Sequence, residues 1–170
     1  MGLPPKGQIL LEVVDSKARV LAVKDYPQET IFYLPKIALP SNKVKPGDSW
    51  KFSSVWRSLK TGWPFEIELD LTLDSWVDCG GLQCAYIKFK GAVGLPPSTP
   101  LKNSKLESEI EGELVYAPIG HQFIWSLSKT REIFKNDKKW VDVKSCTASY
   151  QTSPDKASTV FAKKMKSYCN

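Results

Sequence analysis

Four glutamates at every second position, Glu107, Glu109, Glu111 and Glu113, are the densest run of chemically capable side chains in this 170-residue chain. On an extended strand a period of two puts all four carboxylates on one face, where Ca²⁺ or a cationic partner could meet them. Same-face neighbours along a strand stand about 7 Å apart, whereas a tightly held cation needs oxygens converging at about 2.4 Å. The run therefore reads as a solvated strand face balanced by lysines on neighbouring strands. No metal and no other cofactor is expected.

Other motifs carry less. The single histidine, His121, follows Gly120 in a predicted turn. A surface position suits it better than a general-base role. Lys60-Thr61-Gly62 and Ser126-Leu127-Ser128-Lys129 match fragments of the penicillin-binding enzymes' K-T-G and S-x-x-K. Their order is reversed and no S-D-N follows. Ser153-Pro154-Asp155-Lys156 fits S-x-x-K as well, so the pattern is cheap. Nothing singles out a carboxylate pair for glycoside hydrolysis. No catalytic residue is assigned, and a small hydrolase is the weakest of three functional readings.

The cysteines constrain the compartment. Cys79, Cys84, Cys146 and Cys169 are even in number, as a disulfide framework requires, and their spacing suits neither zinc nor a C-x-x-C redox pair. Cys79 and Cys84 bracket Gly80-Gly81-Leu82-Gln83, the form of a bond closing a hairpin tip. Cys146 and Cys169 would then join a late strand to the chain's end. Disulfides imply an oxidising compartment, periplasmic or extracellular. Met1-Gly2-Leu3-Pro4-Pro5-Lys6 lacks the apolar stretch of a secretion signal, so the expectation is a leader already removed, with Met1 in its place.

The elements that position these residues are mostly strands. Residues 63–73 alternate Phe65, Ile67, Leu69, Leu71 and Leu73 with Glu66, Glu68, Asp70, Thr72 and Asp74. The next segment puts Ala85, Ile87 and Phe89 on one face, with Tyr86, Lys88 and Lys90 on the other. Acidic and basic faces can therefore pair across a hairpin. Directly opposed Cys79 and Cys84 would set Leu73 against Lys90, contradicting both patterns. A β-bulge near Asp74-Ser75 restores the phase, turns Trp76 inward and leaves both cysteines on the polar face.

A second hairpin spans 106–133, turning at Ala117-Pro118-Ile119-Gly120 and returning with Phe123, Trp125 and Leu127 on one face. Residues 140–150 read as a further strand, 8–23 as a strand pair broken at 15–17, and 31–39 and 49–59 as two more. The predicted fold is mainly β: an antiparallel, strongly curved sheet or half-barrel of long hairpins, with one C-terminal α-helix. It forms one domain over 1–170, strands to 150 and a helix over 153–169 packed on the sheet. Ser153 caps that helix and Pro154 starts it, while Ala157, Val160, Phe161, Met165 and Tyr168 form its apolar stripe.

Charge and aromatic content suggest surfaces. The formal net charge is +6, and residues 129–170 hold ten basic against four acidic residues, so the whole excess lies there. Lys156, Lys163, Lys164 and Lys166 make a candidate patch for an anionic partner such as a membrane surface. Nucleic acid is disfavoured, because no basic-aromatic repeat accompanies Arg131. Six tryptophans are many for this length. Those on apolar faces read first as core and second as the lining of a ligand cavity.

The stretch Leu39-Pro40, then Val44-Lys45-Pro46-Gly47-Asp48-Ser49-Trp50, a hairpin closing near Gly81 and continuing Cys84-Ala85-Tyr86-Ile87, and Ile110-Glu111-Gly112 running to Gly120 resembles a pattern in uncharacterised bacterial envelope proteins. These are β-rich and periplasmic or lipoprotein-like, and the likeness covers about residues 39–134. It implies a curved antiparallel sheet similar to lipoprotein-carrier folds, which hold acyl chains in an apolar concavity, and it carries no catalytic or lipid-binding residue across. The leading expectation is a non-catalytic periplasmic or cell-surface interaction module, compatible with a homodimer, whose terminal helix covers the concave face. The alternative is a carrier of a hydrophobic ligand on a concave face lined by Trp63, Phe65, Ile67, Leu69, Ile87, Phe89, Phe123 and Trp125. A carrier should hold an open apolar cavity of at least about 300 Å³. An interaction module should instead show a filled core with an exposed patch or strand edge.

Overall fold

A computed structural model of the chain describes residues 12–15, 19–24, 37–57, 64–96, 105–120, 122–135, 137, 140–150 and 167–169. The alternating segments form strands as their period of two demands. Strands β1 (Glu12–Val14) and β2 (Val20–Val23) make a small antiparallel pair. Its turn is held by Asp15, which accepts from the Arg19 backbone N–H at 2.9 Å and pairs with its guanidinium at 2.5 Å.

The main sheet contains β3 (Ser49–Arg57), β4 (Pro64–Asp78), β5 (Gln83–Gly94), β6 (Lys105–Ala117), β7 (Gln122–Lys135) and β8 (Trp140–Tyr150). Their spatial order is their chain order, and every pairing is antiparallel. The sheet is open, with β3 and β8 at its edges. Residues 37–39 have no strand assignment, in contrast to the strand expected over 31–39, and 31–36 lie outside the described residues.

The predicted bulge is present. Leu73 lies opposite Ile87 and Ser75 opposite Tyr86, so Asp74 is the extra residue. Trp76 consequently faces Ala85 on the core side. The hairpin tip differs in detail, since Cys84 opposes Val77 and Cys79 donates its N–H to the Leu82 carbonyl. The two cysteines are thus diagonal neighbours, not directly opposed, with Cα atoms 6.0 Å apart and a disulfide between them. Diagonal placement still demands the extra residue, because without it Leu73 would face Lys88.

A second bulge was not foreseen. Val115 opposes Trp125 while Tyr116 opposes Phe123, leaving Ile124 as the additional residue. Phe123 therefore shares the core face, and Trp125 and Leu127 turn to the other side. This corrects the expected lining: Trp125 is not beside Phe65, Ile67, Leu69, Ile87, Phe89 and Phe123. Both bulges lie at the same end of the sheet, where Cys84 of the first hairpin tip packs with Ala117 at the end of β6.

One face of the sheet carries the main core. Ile67, Leu69, Leu71, Leu73, Ile87, Phe89, Leu114 and Tyr116 are buried together, with Phe65, Trp50, Phe52 and Phe123 packed at the margin. The cover comes from residues 37–48, whose Ile37 is fully buried and whose Leu39 and Val44 pack on the cluster. Backbone bonds fix this segment to the sheet, Gly47 N–H to Leu73 O at 2.8 Å and Leu73 N–H to Asp48 O at 3.0 Å. The described end of the chain, 167–169, is helical and lies on the opposite face, bonded through Cys169 to Cys146 with Cα atoms 5.8 Å apart. The expected covering of the apolar face by the terminal helix is thus not what 167–169 show. The rest of that helix, with Lys156, Lys163, Lys164 and Lys166, lies outside the described residues, as do Trp63 and His121.

Candidate functional site

Strand alternation puts the charged side chains of five strands on the second face, in columns of alternating sign. Glu66, Glu68 and Asp70 stand on β4, Lys88 and Lys90 on β5, Glu107, Glu109, Glu111 and Glu113 on β6, and Lys129, Arg131 and Lys135 on β7. On β8 the alternation breaks, since Lys144 lies opposite Arg131 and Asp142 opposite Ile133. The register sets Asp70 opposite Lys90, Lys90 opposite Glu111, Glu111 opposite Lys129, and Glu109 opposite Arg131. The lysines expected to balance the glutamate run are therefore present on both neighbouring strands. Each such cross-strand pair is worth about 0.2–1 kcal/mol, and what the lattice adds is order across the face.

Several charges are tied locally. Lys88 Nζ reaches Asp74 at 2.6 Å, and this bond raises the lysine pKa, so the bulge residue has a partner across the hairpin. Arg131 grips Asp142 with both Nε, at 3.2 Å, and Nη2, at 2.8 Å, holding that carboxyl below its ordinary range. Glu107 is likewise lowered by its bond to Lys105 at 2.5 Å.

Near the bulged end the face stops being polar. Cys84 is fully buried with Val115 and Ala117, and Val77, Cys79, Tyr86, Ile124 and Trp125 pack around them. The cysteines occupy the predicted side, but that side is apolar here. Glu113, the last of the glutamates, is 8% exposed and unlike the other three. The Tyr86 hydroxyl donates to it. Burial first, then this bond and the charges of Glu113 and Asp74, push the Tyr86 phenol well above its ordinary pKa. The sequence treated Glu113 as one of four equals because its burial depends on the bulge at Ile124, which moves Trp125 and Leu127 onto its face.

The end of the chain walls the hollows of this face. Tyr168 donates from its hydroxyl to Glu111 O at 3.4 Å, and the Lys129 ammonium lies 4.9 Å from its ring centre. Burial, then the charges of Glu111 and Glu113, push the Tyr168 phenol up to about 12. One hollow, of about 350 Å³, is bounded by Thr72, Lys88, Glu113 and Tyr168. A larger groove of about 880 Å³ extends past Cys169 toward β8, with Asp70, Lys90, Glu109, Glu111, Lys129, Arg131 and Lys144 along it. Among the described residues no three His, Cys, Asp or Glu side chains converge as a metal site.

The opposite face carries a small apolar pocket of about 190 Å³, lined by Leu39, Pro40, Val44, Trp50, Leu73, Trp76, Ala85, Ile87, Tyr116 and Pro118. Of the expected ligand-lining residues that are described, Ile87 alone borders it, while Phe65, Ile67, Leu69, Phe89 and Phe123 serve the core. No protein-family model, curated protein or solved structure matches the chain in comparisons with each. What these residues and comparisons establish is a mainly antiparallel β chain with two disulfides, which suit an oxidising environment.

Proposed function

We propose that this chain is a non-catalytic interaction module of the periplasm or cell surface, and that its partner is a protein segment carrying charges of both signs. The observation that carries this reading is where the large concavity lies. It is on the charge-striped face, about 880 Å³ in volume, whereas the apolar pocket holds about 190 Å³. That pocket is smaller than the roughly 300 Å³ expected of a ligand site. Rows of fixed, alternating charge favour orientation and partner selection more than raw affinity, since a misplaced partner meets like charges. The envelope location rests on the resemblance and on the two disulfides. An anionic membrane surface remains the second partner class, approached through the lysine-rich end of the sequence.

The test is a photo-crosslinking side chain at Lys90, in the floor of the groove, compared with one at Ile119, which is 69% exposed in the turn after β6 and outside the groove. A discrete protein adduct from position 90 and none from position 119 is the expected outcome in the native host. Equal labelling from both sites overturns the assignment. Native mass spectrometry of the intact protein completes the test, because a co-purified acyl lipid would restore the carrier reading.

A further inference from the structure

Strand β8 ends the sheet in an edge that no described residue pairs. Its register with β7 runs from Trp140 to Tyr150 without a shift, and it contains no proline, so neither a bulge nor a break blunts it. Seven of its residues 140–148 are exposed. Among them Trp140 is 63% exposed, Val141 43% and Val143 44%. An edge that pairs an open row of backbone groups with an apolar fringe is a template for one more strand.

We propose that β8 pairs antiparallel with β8 of a second copy of this chain, about a twofold axis at Val143. Such an axis stands perpendicular to the sheet and keeps like faces together, so only residues that share a face can oppose each other. Centring on Asp142 would set carboxylate against carboxylate, and centring on Lys144 would set ammonium against ammonium. Centring on Val143 places Asp142 of each copy opposite Lys144 of the other. On the reverse face Val143 meets its own counterpart, with Val141 against Ser145 on either side. Centring on Ser145 lengthens the overlap, but it sets Asp142 against Ala148 and Lys144 against Cys146 and so gives up the charge match, whereas centring on Val143 keeps that match and leaves Trp140 against Cys146 at its ends.

The other edge offers no such match. Strand β3 carries Lys51 and Arg57 and no acidic residue, so no register of two β3 edges sets opposite charges against each other. Pairing β3 with β8 would be head-to-tail, which forms a ring or a filament of copies and not a twofold dimer. The β8 dimer closes, and it lays both charged faces on one side of a continuous sheet with the two grooves adjoining at Lys144 and Ser145. The inference stands on the edge itself and not on what the groove binds.

Two measurements test it on the oxidised, full chain. Sedimentation velocity from micromolar to millimolar concentration should show a species of twice the 19.1 kDa chain mass, and V143K should raise its dissociation constant on the order of tenfold or more, by opposing two ammoniums. Under mild oxidation V143C should form a covalent dimer on a non-reducing gel. Val55, equally exposed at 44% on β3, supplies the control as V55C, which should remain monomeric. A monomer throughout the range, an unchanged dissociation constant in V143K, or equal crosslinking of V55C overturns the proposal.

Discussion

Gly112 shows how one residue can be dictated by its neighbours. A Cβ added there would collide with the Phe89 ring and with the Leu127 backbone carbonyl, so the ring lies over a position that only glycine leaves empty. Phe89 is 4% exposed, and its burial is part of what holds β5 to β6. Gly112→Ala should therefore destabilise the fold by about 1–3 kcal/mol, the usual cost of overpacking, as read by urea unfolding. Tyr86 and Tyr168 make a second residue-scale case. The fold holds both phenols neutral, so the folded chain keeps these protons at pH values where the unfolded chain loses them. Stability should be flat below the ordinary phenol pKa of 10.0 and fall as pH climbs toward about 12. Tyrosinate absorbance gives the check: between those limits the folded protein should show less of it than the urea-unfolded chain, and Y168F should narrow the gap.

At the scale of elements, strand phase is legible wherever alternation is unbroken, and across a bulge only where a second pattern conflicts with the first. The long hairpin from Pro64 to Gly94 follows its alternation, and the bulge at Asp74 could be deduced because two independent patterns conflicted with the cysteines. The bulge at Ile124 left no such conflict, since Phe123, Trp125 and Leu127 form a regular apolar series by themselves. Only the register of β6 against β7 reveals that the series is split between faces. Hence the site residues Glu113, Tyr86 and Tyr168 were not legible as a group. The disulfides were read correctly from spacing, and their surroundings now distinguish them. Cys84 is fully buried, whereas Cys146 and Cys169 are exposed. Mild reduction followed by alkylation and peptide mapping should label Cys146 and Cys169 well before Cys84. Replacing both cysteines of the Cys146–Cys169 pair by alanine should cost about 3 kcal/mol from the closed-loop entropy of a 23-residue separation, against about 2 kcal/mol for the five-residue Cys79–Cys84 loop.

The molecule as a whole depends on keeping an apolar face and a charged face in phase over six strands. Strand β4 is the critical case, since it pairs with both β3 and β5 and supplies four buried side chains to the core. Asp74 is the residue through which that strand changes phase before reaching the disulfide tip. Deleting it would join Leu73 directly to Ser75, which already pair with Ile87 and Tyr86, and would make the register regular without turning any core side chain outward. The direct losses include the exposed ion pair with Lys88, a class of interaction worth about 0–1 kcal/mol, and the exposed bond that Ser75 Oγ donates to Asp74 at 3.2 Å. Deleting Thr72, two residues earlier and also on the charged face, is a different perturbation. Leu73 would then have to follow Leu71 directly, so one of two fully buried leucines must leave the core. Losing a buried leucine costs about 2–5 kcal/mol. Denaturant unfolding of the two single-residue deletions should therefore separate them widely, the Asp74 deletion staying within about 1 kcal/mol of the parent. Equal losses would mean that the bulge does more than correct the phase of the strand, and that the bend it makes at this end is itself required to seat residues 37–48 on the core.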